Sequence, residues 1–105
     1  MQTSVAMERE TVICNPEGLH FRPIMRFVDL ASRFSSRLTV FCENRKADGR
    51  SPMELLMLVA THGSKIKLVA DGDDADRALR ALVELVDKGF DELGTPAAGA
   101  EGKPG

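Results

Sequence analysis

The chain has 105 residues, 43% hydrophobic and 29% charged, with a formal charge of -2, which points to one domain with a modest core. Fourteen basic against sixteen acidic side chains exclude a generally basic nucleic-acid binder, and no apolar run approaches the roughly 20 residues that cross a bilayer. Residues 1–10 lack the order of a secretion signal, and Cys14 and Cys42 are too few for a disulfide framework and lack metal-ligand spacing, so the simple reading is a reduced cytoplasmic protein. No cofactor, metal, nucleic acid or membrane insertion is expected, and a monomer is the expected state, although the sequence does not fix it.

Residues 1–6 show no period and read as a flexible extension. A strand is expected over Glu8–Cys14, where Thr11, Val12 and Ile13 favour extended backbone. Asn15-Pro16-Glu17-Gly18 is turn chemistry. A helix follows from Phe21 to Phe34, with Ile24, Phe27, Val28, Ala31 and Phe34 on one apolar face. Arg37–Glu43 alternates as a half-buried strand, and Asn44–Arg50 holds a tight turn and a short return strand. Ser51-Pro52-Met53-Glu54 predicts a helix start with a capping box. That helix carries Met53, Leu56, Met57 and Ala60 on one face and stops at Gly63. Lys65–Ala70 alternates again, and Asp71–Asp74 supply a turn and an N-cap for a helix over Ala75–Phe90. Residues 94–105 hold glycine and proline without a large apolar side chain and read as a flexible tail. The domain therefore spans residues 7–93, in the order β-α-β-β-α-β-α. This is an α+β architecture, an antiparallel sheet with helices on one face.

The stretch that carries chemistry is Gly18-Leu19-His20-Phe21-Arg22-Pro23. His20 precedes a helix start, where unpaired N–H groups and the positive end of the dipole favour an anion. The same field favours a neutral imidazole whose nitrogen lone pair can attack phosphorus. Arg22 brings a permanent cation with several donors for phosphate oxygens. Gly18 permits a tight turn with close backbone approach, and Pro23 suits a first helical turn because no donor is needed there. Gly18, Phe21 and Pro23 thus frame a phosphate cradle around His20 and Arg22. A histidine before a helix is more often an exposed cap, and the hexapeptide alone is short.

That hexapeptide together with Phe27-Val28, the Gly49-Arg50-Ser51 helix entry, the Leu58 to Gly63 helix exit and the Ala70-Asp71-Gly72-Asp73-Asp74 turn resembles the HPr family. These are the histidine-containing phosphocarriers of the phosphoenolpyruvate:sugar phosphotransferase system. The resemblance runs from Glu8 to Phe90 almost without insertion. It implies an open-faced β-sandwich, a four-stranded antiparallel sheet with three helices on one face. It also implies that enzyme I phosphorylates His20 on Nδ1 at the expense of phosphoenolpyruvate, that Arg22 steadies the phosphoryl group, and that an enzyme IIA-type protein receives it.

The same resemblance makes Ser51 a candidate for regulatory phosphorylation by HPr kinase/phosphorylase. As a helix cap with Glu54, however, Ser51 is expected there without any kinase, and Pro52 departs from the kinase-regulated pattern. A docking face is expected from Phe21, Met25, Pro52, Met53 and Leu56, although Met53 and Leu56 also suit a core. Arg26, Arg33 and Arg50 are placed to steer an acidic partner. Phe21 stands where the family usually has a small residue, and Asp29 and Glu54 where some enteric members have lysine. Two alternatives are a regulatory HPr-like module governed through Ser51 and a small ligand-binding domain in which His20 is only a cap. Having both His20 and Arg22 disfavours each.

Overall fold

The computed structural model describes residues 6–91. The elements are β1 (Ala6–Val12), α1 (Phe21–Ala31), β2 (Arg37–Cys42), β3 (Arg45–Asp48), α2 (Pro52–Leu56), β4 (Lys65–Asp71) and α3 (Ala75–Asp87), closed by a 3₁₀ turn at Gly89–Asp91. The four strands form one antiparallel sheet in the order β1-β4-β2-β3. Alternation sets its faces: Leu38, Val40 and Cys42 of β2 and Ile66, Leu68 and Ala70 of β4 are buried, with Val40 opposite Leu68. Ile24, Phe27 and Ala31 of α1 and Ala78, Leu79, Leu82 and Val86 of α3 bury their stripes in the same core. The expected architecture, four antiparallel strands and three helices, is the one observed. The flexible ends expected at 1–6 and 94–105 lie outside the described residues, except that Ala6 opens β1.

Several boundaries differ from the sequence expectation, each for a tertiary reason. β1 begins and ends two residues earlier, and Ile13 leaves the ladder to bond Ser64 O through its N–H at 2.9 Å. α1 ends at Ala31 instead of Phe34, because the Arg50 guanidinium donates to the carbonyls of Ala31 and Phe34 and so satisfies the helix end.

α2 is only five residues long. Leu55 and Leu58 enter the core, whereas Met53, Leu56, Met57 and Val59 are exposed. The apolar face assigned to Met53, Leu56 and Met57 is thus the outer one. Val59, at φ 53°, turns the backbone out of the helix well before Gly63. Gly63 instead donates its N–H to Ile13 O at 2.7 Å, tying the α2–β4 loop to the end of β1.

Asp74 precedes α3 but caps nothing with its side chain. Its carboxylate accepts from the Ser36 hydroxyl and the N–H groups of Ser35 and Ser36, which locks the α1–β2 turn to the start of α3. Those bonds, Ser36 Oγ foremost, hold the Asp74 carboxyl down to about 2. α3 stops at Asp87, and Phe90 reaches full burial from a left-handed position, φ 58°, in the 3₁₀ turn.

Candidate functional site

The site grows from the turn between β1 and α1. Asn15 is fully buried, and its side-chain amide donates to Gly18 O at 2.7 Å while Gly18 N–H returns to Asn15 O at 3.1 Å. Gly18 sits at φ +76°, and a Cβ there would lie 2.8 Å from Ala60 O. That close approach lets Leu19 N–H donate to Ala60 O at 2.8 Å, so the turn is bolted to the loop leaving α2. In the sequence Asn15 is only a turn former; a buried side chain closing that turn is visible only in the tertiary packing.

His20 is the N-cap of α1, extended at φ -109° and ψ -170°, and its ring makes no capping bond. The helix proper starts with Ile24 N–H on His20 O at 3.0 Å. Pro23 is buried in the first turn and offers no N–H. The first-turn amides without an intrahelical acceptor are therefore those of Phe21 and Arg22. The His20 side chain is 36% exposed, yet its Nε2 atom is occluded from solvent. Glu17 Oε1 lies 3.2 Å from Nε2, close enough for an ion pair but off the angle of a hydrogen bond. The exposed part of the ring is thus other than Nε2.

Arg22 is exposed in the first turn of α1. Phe21 is 67% exposed and Met53 68%, with Met25 and Leu56 also open, so the core alternative for Met53 and Leu56 is overturned. Phe21 and Met25 sit on α1 and Met53 and Leu56 on α2, two helices that pack together. Pro52 is half-buried at the first position of α2 and Arg26 is exposed on α1. Of the three arginines expected to steer a partner, Arg50 instead caps α1 and Arg33 lies 3.5 Å from Asp29.

Ser51 does not belong to the His20 site. Arg50 joins the entry of α2 to the C-terminal end of α1, while Ala60, past the exit of α2, meets Leu19 beside the N-terminal end. The two helices therefore run oppositely. The eleven residues of α1, about 16 Å at the usual rise, separate Ser51 from His20. Ser51 Oγ accepts from Glu54 N–H at 3.3 Å. The expected capping box is only half made, since the Glu54 carboxylate takes Asp48 N–H at 2.9 Å instead of Ser51 N–H. Cys42 is buried, and desolvation followed by the charge of Glu43 pushes its thiol up, which keeps it protonated. Among the described residues no group of three His, Cys, Asp or Glu side chains is arranged to hold a metal ion, and no helix is long and apolar enough to cross a membrane.

Residues 7–88 match the family model described as the PTS HPr component phosphorylation site. The chain belongs to the HPr family. It is 43% identical over 86 residues to phosphocarrier protein NPr of Shewanella violacea, covering 82% of this chain and 94% of that protein. It is 34% identical over 86 residues to phosphocarrier protein HPr of Xylella fastidiosa, covering 82% and 97%. Among solved structures, HPr of Thermoanaerobacter tengcongensis superposes with a TM-score of 0.79 at 41% identity, covering 82% of this chain and 97% of that one. A phosphocarrier role in the phosphotransferase system follows from that membership.

Proposed function

We propose that this HPr-family protein works in the cytoplasm, accepting a phosphoryl group on His20 Nδ1 from phosphorylated enzyme I, with phosphoenolpyruvate as the ultimate source. It then passes that group to an enzyme IIA-type acceptor. The observation that carries this reading is the occlusion of Nε2 on a partly exposed ring at a helix N-terminus without a side-chain cap. A phosphoryl group on the other nitrogen would meet the amides of Phe21 and Arg22 and the positive end of the α1 dipole. Arg22, with its rigid fork of donors, is the side chain that would hold the phosphoryl oxygens. Gly18 and Pro23 supply the turn and first helical residue that shape this cradle. The open apolar residues Phe21, Met25, Met53 and Leu56, flanked by Arg26 and Pro52, form the face on which enzyme I and the acceptor would dock in turn.

The reaction asks for a site that lets the group go. A deep multidentate pocket would hold a phosphohistidine too firmly for onward transfer, whereas a partly exposed ring with one arginine nearby suits a carrier. Ser51 is the position at which HPr kinase/phosphorylase would switch the carrier off. A dianion there would replace the cap on Glu54 N–H and lie close to the Glu54 carboxylate.

The deciding experiment is intact-mass analysis after incubation with phosphoenolpyruvate, Mg²⁺ and the cognate enzyme I, comparing wild type with His20→Ala. An acid-labile gain of one phosphoryl group in the wild type alone is the expected result. No gain with an active enzyme I overturns the carrier reading. A parallel incubation with HPr kinase/phosphorylase and ATP, with Ser51→Ala as control, reads the regulatory site separately.

A further inference from the structure

Glu17 is the residue whose position the turn chemistry of Asn15–Gly18 does not explain. Its side chain is 76% exposed and takes no part in closing the turn, yet its Oε1 is 3.2 Å from the occluded Nε2 of His20. We propose that the Glu17 carboxylate is a positioning residue for phosphoryl transfer, holding the proton of His20 on Nε2 and countering the charge that appears on the ring. This rests on the carrier reading of His20.

The physical case has two parts. In a neutral imidazole one nitrogen bears the proton and the other the lone pair, and the environment of one decides the state of both. A carboxylate beside Nε2 favours the proton there and so places the lone pair on Nδ1, the nitrogen that must attack. The second part concerns charge. As Nδ1 bonds to phosphorus, the bond from phosphorus to the nitrogen of a phosphohistidine donor breaks, and its electron pair returns to that donor. Nε2 keeps its proton throughout, so the His20 ring turns from neutral to cationic. The N-terminal end of α1 disfavours a cation, and the Glu17 carboxylate, 3.2 Å from Nε2, is an anion placed to offset it. When the group passes on, the pair of the N–P bond returns to Nδ1 and the ring is neutral again.

Because Glu17 is mostly exposed, the effect is modest and screened by salt. The expected slowing of phosphoryl uptake is about twofold to fivefold, within what exposed ion pairs contribute. The test uses the full chain with Glu17→Ala and the isosteric Glu17→Gln, and two readouts. Phosphoryl uptake from enzyme I should show lowered kcat with unchanged KM in both variants, and the difference from wild type should narrow at high salt. Nitrogen-15 NMR of the unphosphorylated protein above the imidazole titration should show His20 shifts in Glu17→Ala moving toward those of a solvent-exposed histidine.

A Glu17→Gln protein with wild-type kcat overturns the proposal, since the charge would then be dispensable. So does a change confined to KM, which would make Glu17 a docking residue, or an unchanged His20 spectrum in Glu17→Ala. A wild type that takes no phosphoryl group overturns the carrier reading and the transfer role of Glu17 together. A wild type that is phosphorylated as fast as Glu17→Ala overturns Glu17 alone.

Discussion

The starts of α1 and α2 are built from the same elements and left in opposite states. At α2, Ser51 Oγ accepts from Glu54 N–H, Pro52 fills the first position, and the Glu54 carboxylate takes Asp48 N–H. At α1, the capping position is held by His20, whose ring makes no capping bond, and proline has moved to the third position. One terminus is closed by its own side chains. The other has no side-chain cap, and in the proposed carrier its amides and dipole would meet the incoming phosphoryl group. A helix start is an anion site by geometry, and the identity of one capping residue decides whether the protein consumes that capacity or keeps it.

The harshest way to break this contrast is Gly18→Ala. The added Cβ would lie 2.8 Å from Ala60 O with the residue held at φ +76°, so a loss of about 2–3 kcal/mol in denaturant unfolding is expected. Phosphoryl uptake should fall as well, because the same turn presents His20. Normal stability and uptake in this variant would mean that the α1 mouth does not depend on its bolt to Ala60.

Asp74 tests a third helix start, where the side chain faces another segment. Its folded carboxyl titrates near 2, below its ordinary 3.8. Its contribution is therefore present above pH 4 and disappears as pH falls through about 2. Asp74→Asn should be less stable than wild type at pH 7, with the gap closing in acid as Asp74 is protonated in the wild type. A gap independent of pH would assign the effect to shape instead of charge.

Ser51→Ala should cost about 1 kcal/mol in thermal or denaturant unfolding, the usual value of a serine cap. It should leave phosphoryl uptake from enzyme I intact, since the length of α1 separates it from His20. His20→Asp gives the smallest effect on stability and the sharpest reading. A carboxylate at this N-cap should raise stability by about 0.5–1 kcal/mol over His20→Ala while abolishing uptake. If it instead lowers stability, the α1 terminus is not an open cap, and the contrast with α2 fails.

Much of this was legible in the order of residues. The periods of Arg37–Cys42 and Lys65–Asp71 and the stripes of α1 and α3 follow from burial of one face, and they place the strands and helices close to where they lie. α2 stops well short of Gly63, and the sequence leaves Met53 and Leu56 open to a docking face or the core because its exposed methionines and its buried leucines both fit a helical period. Periodicity names a face but cannot say which way it points. Arg50 caps α1, and Asp74, which stands at the N-cap of α3 as expected, turns its carboxylate elsewhere, for a related reason: each side chain serves a segment remote in sequence, Arg50 the end of α1 and Asp74 the turn before β2.

The sequence by itself determined the kinds of elements, their order and the chemistry available at Gly18–Pro23, because these depend on local spacing and on side-chain type. The tertiary structure decided that α1 and α2 run oppositely, that Ser51 therefore stands apart from His20, and that Glu17 meets Nε2. Such contacts depend on how the chain returns through the sheet and across α1, and no local pattern carries that information.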